Sequence, residues 1–433
     1  PQAVVSKTDT GNDYRKWRKS DTVWMLGLYG TAIGPVSCFC RLTPVSAAAS
    51  AYHHGGTGLP DDLFRAPWYV PLYIVRKNPG EDITEVVEEH FGAKAGNLIT
   101  LLYFFAIYPI LLVYSVAITN TVESFIVNQM HMTAPPRIIL SLVLIVGIMC
   151  IIRFGEAAIV KAMSVLVFPF VAVLMVLALY LIPHWNTAIF DTLSFSSHSA
   201  GDTGRGLMVT LWLAIPVMVF SFNHSPIISA FSVAKRQEYG DNAEKKCSRI
   251  LACAHIMMVL TVMFFVFSCV LSLSPQNLQE AKDQNISILS YLANYFHNPM
   301  IAYIAPLVAF IAITNAFLGH YMGAREGFNG LVNKALRAKG KSIAPSKLNK
   351  LTALFMLVTS WIVATLDPSI LGMIETLGGP IIAMLLFIMP MYAIRKVPAM
   401  RKYAGHLSNL FVVVIGLIAI SAVFYNLYQL FFG

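Results

Sequence analysis

Runs of about twenty apolar residues recur along this chain, separated by short stretches rich in Lys, Arg, Asn and Pro. Each run has the length a helix needs to cross the hydrocarbon core of a bilayer. Alternation with a period of two is absent, which argues against an outer-membrane barrel. The first run begins near Asp21 and continues beyond Gly34. Later runs cover 97–127, 137–153, 157–182, 207–232, 248–273, 298–324, 350–366, 370–394 and 407–431. With one further crossing that is not legible before residue 77, these become spans 1 and 3 to 11. The pattern predicts an all-α polytopic membrane protein with eleven spans.

Spans 1–5 (residues 21–182) and 6–10 (residues 207–394) can be laid over each other, with residues 1–20 as a polar tail and span 11 (407–431) standing outside. Spans 3 and 8 both carry a central proline, Pro109 and Pro306. Spans 1 and 6 are both interrupted, by Tyr29-Gly30-Thr31-Ala32-Ile33-Gly34 and by Phe220-Ser221-Phe222-Asn223-His224-Ser225-Pro226. Two repeats of five spans have opposite topology, which is the inverted five-plus-five arrangement of LeuT-like transporters. One helical bundle then rocks against the other around a midplane site.

Composition agrees with the pattern. The chain is 57% apolar and only 12% charged, with mean hydropathy +0.65, where a soluble domain carries roughly 25% charged residues. The net charge of +9 does not indicate nucleic acid, because the basic residues lie in short loops between spans. They crowd the loops after spans 4, 6, 8 and 10, among them Lys235, Lys246, Arg249, Lys334, Arg337 and Lys396. That asymmetry places the N-terminus in the cytoplasm and the C-terminus in the periplasm. The first apolar run reads as an uncleaved anchor, not a signal peptide. The six cysteines are scattered and match neither a disulfide framework nor a zinc spacing.

Charge also singles out residues 35–76. The N-terminal tail and the acidic segment 77–96 both read as cytoplasmic, so the chain must cross twice between them. Residues 41–76 hold Arg41, His53, His54, Asp61, Asp62 and Arg65, and a central charge costs about 2.5–3.5 kcal/mol on insertion. Permissible codons for Pro35 to Ala48, read one base out of register, give AGVLFLPINAGVGG. A second shift for Ser50 to Trp68 gives IPLIIMAVLAFPMTFFAHR, a good span. Residues 35–76 therefore read as translation in a shifted frame. A re-entrant or extracellular insert is the alternative.

Candidate chemistry sits at the two interruptions. An unwound helix presents backbone donors and acceptors in a dry environment, and an amino-acid zwitterion satisfies both. Gly30, Thr31, Ala32, Ile33 and Gly34 form the first half of such a site; the same small residues also permit close helix packing. Ser221, Phe222, Asn223, His224 and Ser225 form the second half, and Asn315 on span 8 joins them by depth. Thr314 and His320 share that span. His224 is a proton-coupling candidate, because an unperturbed imidazole changes charge near neutral pH. So is Lys161 if its amine is buried, whereas a snorkelling interfacial lysine is the plainer reading. Glu123, Asp367 and Glu375 read as interfacial charges, and Asn285-Ile286-Ser287 fits a glycosylation pattern. No phosphate loop, metal-binding spacing or catalytic triad is present. The expectation is a non-enzyme without cofactor, resident metal, nucleic-acid partner or obligate protein partner.

The strings WMLGLYGTAIG, NPGEDITEVVEEHFG, LLYFFAIYPILLVYSVAITNTVESF, WLAIPVMVFSFNHSPIIS, FLGHYMGAREGFNG and IETLGGPIIA resemble the hydroxy and aromatic amino-acid permease family. The resemblance covers essentially everything except residues 35–76, where the shifted-frame strings look like the missing segment. It implies proton-coupled uptake of L-serine across the bacterial inner membrane, with the ligand backbone held at Gly30–Gly34 and Ser221–Ser225. A threonine or broader neutral amino-acid symporter is the alternative. If residues 35–76 are genuine, a transport-defective variant is expected.

Overall fold

A computed structural model describes residues 14–39, 83–186, 212, 224–370, 381–382, 384–398, 401, 404–405 and 407–432. Among the described residues the chain is helical and without strands. The α-helices in chain order are α1 Lys19–Phe39, α2 Ile83–Phe91, α3 Ala93–Ser124, α4 Arg137–Ile152 and α5 Glu156–Leu181. They continue as α6 Ser225–Tyr239, α7 Ala243–Ser272, α8 Pro275–Asp283, α9 Ile288–Tyr295, α10 Pro299–Ala338 and α11 Pro345–Leu366. The last two are α12 Met389–Lys396 and α13 Leu407–Phe432. Spans 3, 4, 5, 7, 8, 9 and 11 correspond to α3, α4, α5, α7, α10, α11 and α13, with ends displaced by a few residues except that α10 runs on well past residue 324, to Ala338. Span 2 falls within residues that are not described.

Five helices are long and apolar enough to cross a membrane: α3 with its π-helical end to Gln129, α5 with its 3-10 end to His184, α7, α10 and α11. Their packing sorts them by role. α3 and α10 are buried over most of their length and pack along each other. α5 and α11 expose much of their surface, and what they expose is apolar: Val165, Phe168 and Leu179 on α5, Leu354 and Ile362 on α11. Such a surface needs lipid, not water.

Helix α1 runs between α10, α7, α5 and α6. Leu26 to Ala32 are buried on every side, the signature of a helix with no solvent or lipid face. Two buried apolar clusters meet along it. One gathers the residues around Ile107, Phe231, Ile250 and Phe317, the other those around Phe170, Val262, Leu289 and Val308.

Helix α10 has 40 residues, so it is about 60 Å long and must project well past a 30 Å core. Its glycines let neighbours approach. A Cβ on Gly319 would collide with Thr31, and one on Gly323 would lie 2.8 Å from the Pro226 Cα. Gly327 and Gly330 likewise face Phe104 and Thr84. These positions fall on one face of a 3.6-residue helix, so α10 presents a small-residue seam to α1, α6, α3 and α2 in turn. The prolines expected in spans 3 and 8 sit inside continuous helices.

Candidate functional site

The interruption expected in span 1 is absent: α1 is helical through Gly30, Thr31, Ala32, Ile33 and Gly34. Thr31 turns its hydroxyl back to donate to the Gly27 carbonyl at 2.9 Å. The cause is the seam on α10. Small residues on both helices bring the backbones together, and the ordinary helical ladder satisfies the α1 amides without a ligand. Gly30, Thr31 and Ala32 therefore form a buried wall by position, and the helical ladder holds their backbone groups. Tyr29 anchors that wall. Its hydroxyl shares a 2.7 Å hydrogen bond with Thr261 on α7, and its ring meets Phe170 edge-on.

Across from this wall lies Asn315. It is fully buried, yet neither its Oδ1 nor its Nδ2 has a hydrogen-bond partner. A Cβ built on Gly30 would lie 3.3 Å from that Nδ2, so the amide rests against the glycine face of α1. The neighbouring Thr314 hydroxyl is also buried and unpartnered. One turn and more along α10, His320 bonds the Ala316 carbonyl through Nδ1 at 2.8 Å, and its buried Nε2 has no partner. Its ring meets Tyr114 edge-on at 5.1 Å. A buried polar group left unmade costs about 1–3 kcal/mol. Several within two turns of one helix mark a place where a polar ligand changes the balance.

The second interruption has a clearer counterpart. Helix α6 starts at Ser225 with Pro226 in its first turn, and His224 precedes it in a non-helical conformation. Ser221, Phe222 and Asn223 lie outside the described residues, as does Glu375. The His224 carbonyl accepts from the Ile227 amide at 3.2 Å, and no side chain caps the helix start. The positive end of the α6 dipole therefore points towards His224 and the centre of the bundle. His224 is buried and lies against His255 of α7, with their Nε2 atoms 3.1 Å apart and ring centroids 4.7 Å apart. His255 carries no motif and sits in an unremarkable apolar run, so sequence spacing alone did not single it out.

Lys161 does not join the site. Val160, Met163, Ser164 and Val167 turn inward on α5, while Lys161 lies exposed on the face it shares with Val165 and Phe168. Helical periodicity puts the amine outward, which overturns the buried-amine reading.

Where α1 begins and α6 turns into α7, a second set of buried polar groups gathers. Asp21 on α1, Lys235 on α6 and Lys246 on α7 are each fully buried. Lys235 Nζ donates to Asp21 Oδ1 at 2.7 Å, to Glu238 at 2.9 Å and to Ser20 at 3.0 Å. Lys246 Nζ lies 2.6 Å from Asp21 Oδ2 and donates to the carbonyls of Tyr14 and Lys16. Tyr239 donates to the same carboxylate, and Arg18 pairs with Glu238 at 3.3 Å. Two lysines read as loop charges are thus the interior of an ionic latch. The helices α6 and α7 extend past the apolar runs and meet at a single turn.

The ends of α3 and α11 and the start of α4 carry a third network. Arg137 bridges Glu123 at 2.9 Å, Asp367 at 3.3 Å and the Asn120 amide oxygen at 2.6 Å. It borders a cavity of about 250 Å³ lined also by Asn294 and Gln284. Glu123 and Asp367, expected as interfacial charges, are here the two carboxylates paired with Arg137. Asn285 of the glycosylation-like tripeptide donates to Asp367 and to the Pro368 carbonyl, so its amide is engaged within the fold.

Known proteins share both the sequence and the fold. The family described as the tryptophan/tyrosine permease family matches residues 69–427. The serine transporter SdaC of Escherichia coli (strain K12) is 70% identical over 430 residues, covering 99% of this chain and all of that protein. The threonine/serine transporter TdcC of Escherichia fergusonii is 46% identical over 435 residues, covering 95% and 96%. Among solved structures, a Na+-coupled sialic acid symporter superposes with TM-score 0.58 at 14% identity, covering 95% of this chain and 90% of that one. MhsT in complex with L-phenylalanine gives TM-score 0.58 at 14% identity, covering 96% and 99%. The structural likeness bears out the LeuT-like fold. With the family matched over most of its length, this multi-pass membrane protein belongs to the tryptophan/tyrosine permease family, whose members are transporters and not enzymes.

Proposed function

We propose that the protein is a secondary active transporter that imports L-serine by proton symport across the bacterial inner membrane, with its N-terminus cytoplasmic. The observation that carries the reading is the Asn315 amide, wholly buried, unpartnered and set against Gly30. An amino acid suits that setting. Its carboxylate matches the positive end of α6, and its polar groups satisfy an amide and a hydroxyl that the fold leaves unpaired. The likeness to named serine transporters supplies the substrate. A site built around a hydroxyl discriminates against alanine, because alanine leaves buried groups unmatched. The relative named as a threonine/serine transporter keeps threonine open as a second substrate, since it adds only a methyl group. His224 supplies a proton-binding group at the centre of the site.

Part of this proposal is that residues 35–76 are a shifted-frame translation, since the five-plus-five plan requires a second crossing there. Sequencing the gene through codons 34–77 tests it directly. A reading frame that matches the chain as written removes the idea and leaves a transport-defective variant.

Counterflow of labelled serine in proteoliposomes tests the substrate, with unlabelled threonine and alanine as competitors. Net accumulation with and without an imposed pH gradient tests the coupling. Serine should accumulate only with the gradient and lose its label to serine far better than to alanine. Accumulation indifferent to the gradient ends the symport reading.

A further inference from the structure

We propose that His224 and His255 together hold the transported proton, and that the substrate carboxylate at the head of α6 loads it. The proposal rests on the symport reading above and adds the partner residue and the coupling device. The two rings come from different helices and are 6% and 1% exposed. An Nε2–Nε2 separation of 3.1 Å allows one N–H and one lone pair between them. In the neutral pair one ring donates through Nε2 and the other accepts. A proton added at the Nδ1 of the donor ring makes an imidazolium that keeps the same bond, now charge-assisted and stronger. A second proton would put two positive rings in contact and is opposed. The pair is a one-proton acceptor: one proton enters, no other bond forms or breaks, and nothing is oxidised.

The position of the pair links it to the substrate. His224 immediately precedes α6, whose amide end carries a partial charge of about +0.5. That charge opposes an imidazolium while the site holds no anion. A carboxylate docked at the same end reverses the local potential and favours it. Proton and substrate therefore bind with positive cooperativity, and by linkage each strengthens the other equally. The bond also ties α6 to α7, so movement of one helix against the other breaks it and releases the proton.

Among the described residues, the main titratable groups on the packed helices lie elsewhere. On α1, Tyr29 is bonded to Thr261, and Asp21 sits in the latch with Lys235 of α6 and Lys246 of α7. On α10, His320 bonds the Ala316 carbonyl and Glu326 accepts from Ser229 of α6. Arg325 lies 4.0 Å from Glu156 of α5, and Lys161 of α5 is exposed. None of these occupies the contact between the two rings.

Proton uptake on adding L-serine tests the proposal, using the purified full-length protein in weak buffer with a pH-sensitive dye, beside calorimetric serine binding. The wild type should take up close to one proton per serine bound, with affinity falling as pH rises. H255Q and H224Q should take up none, and serine affinity in H255Q should become independent of pH. H255N repeats the measurement with a shorter side chain, and binding heat reports that each variant is folded. If the wild type takes up a proton and H255Q and H255N do so equally, the pair assignment is overturned while symport stands. If the wild type takes up none, the symport reading falls and the pair with it. Loss of uptake in K161A with retention in H255Q would move the proton to α5 and overturn the pair.

Discussion

Asp21 and Asn315 are both fully buried, and they sit beside the same helix two to three turns apart, yet their surroundings are opposite. Both Asp21 oxygens are engaged, by two lysines, a tyrosine and a backbone amide. Neither polar atom of Asn315 is. Burial is the same and its consequence differs. A buried charge with every partner in place joins α1, α6 and α7 into one unit where α6 meets α7. A buried amide with none costs stability unless something else completes it. The first region is built to hold, the second to receive.

That contrast can be broken experimentally. The largest effect should come from D21A, which removes the carboxylate that two buried lysine ammonium groups share. Removing one partner of a buried ionic cluster costs about 3–5 kcal/mol, seen as a large fall in the melting temperature of the purified protein. Replacing the whole cluster, as D21L/K235M/K246M, should recover most of it, because no uncompensated charge remains. A D21A protein as stable as the wild type would show that the latch is not structural.

N315L should do the reverse. It leaves the melting temperature unchanged or higher, since it removes an unsatisfied group, and it weakens serine binding by about 1–3 kcal/mol, roughly 5- to 150-fold. Wild-type serine affinity in N315L would take Asn315 out of the site.

Packing comes next in size. G319A should cost about 1–3 kcal/mol through its collision with Thr31. The double variant G319A/T31A should regain much of that, and a lack of coupling in the cycle would show that the two helices do not meet there.

The smallest effect is the pH response of the latch. Burial raises the Glu238 carboxyl, and hydrogen bonds from Lys235 and Ser20 outweigh it, so its pKa lies below the ordinary glutamate value. A carboxylate depressed in the folded state contributes stability that is complete above its unfolded pKa, about 4.3, and is lost as pH falls through the folded one. The protein should lose stability below about pH 4, and E238Q should blunt that loss. An identical acid profile in E238Q would place the sensitivity elsewhere.

The regions differed in how far sequence revealed them. Asn315 was visible by its depth in an apolar run, and His224 by the proline and polar residues around it. The latch was not, because Lys235 and Lys246 look like any positive-inside loop lysines until α6 and α7 extend and bring them onto Asp21. His255 was hidden for a similar reason: a lone histidine in an apolar helix gains meaning only from the ring opposite. Gly30 and Gly34 were misleading. Glycine both weakens a helix and lets helices touch, and the residues that Gly30 meets, Val167 and Asn315, lie far away in sequence.

The sequence by itself determined that the chain is a multi-pass helical membrane protein, because hydrocarbon demands long apolar helices whatever they pack against. Tertiary structure decided the rest: which polar residues are saturated and which are left open, that α1 stays whole, and that Lys161 points away. Those outcomes depend on what a neighbouring helix places within about 3 Å of a given atom, and no local pattern of residues carries that distance.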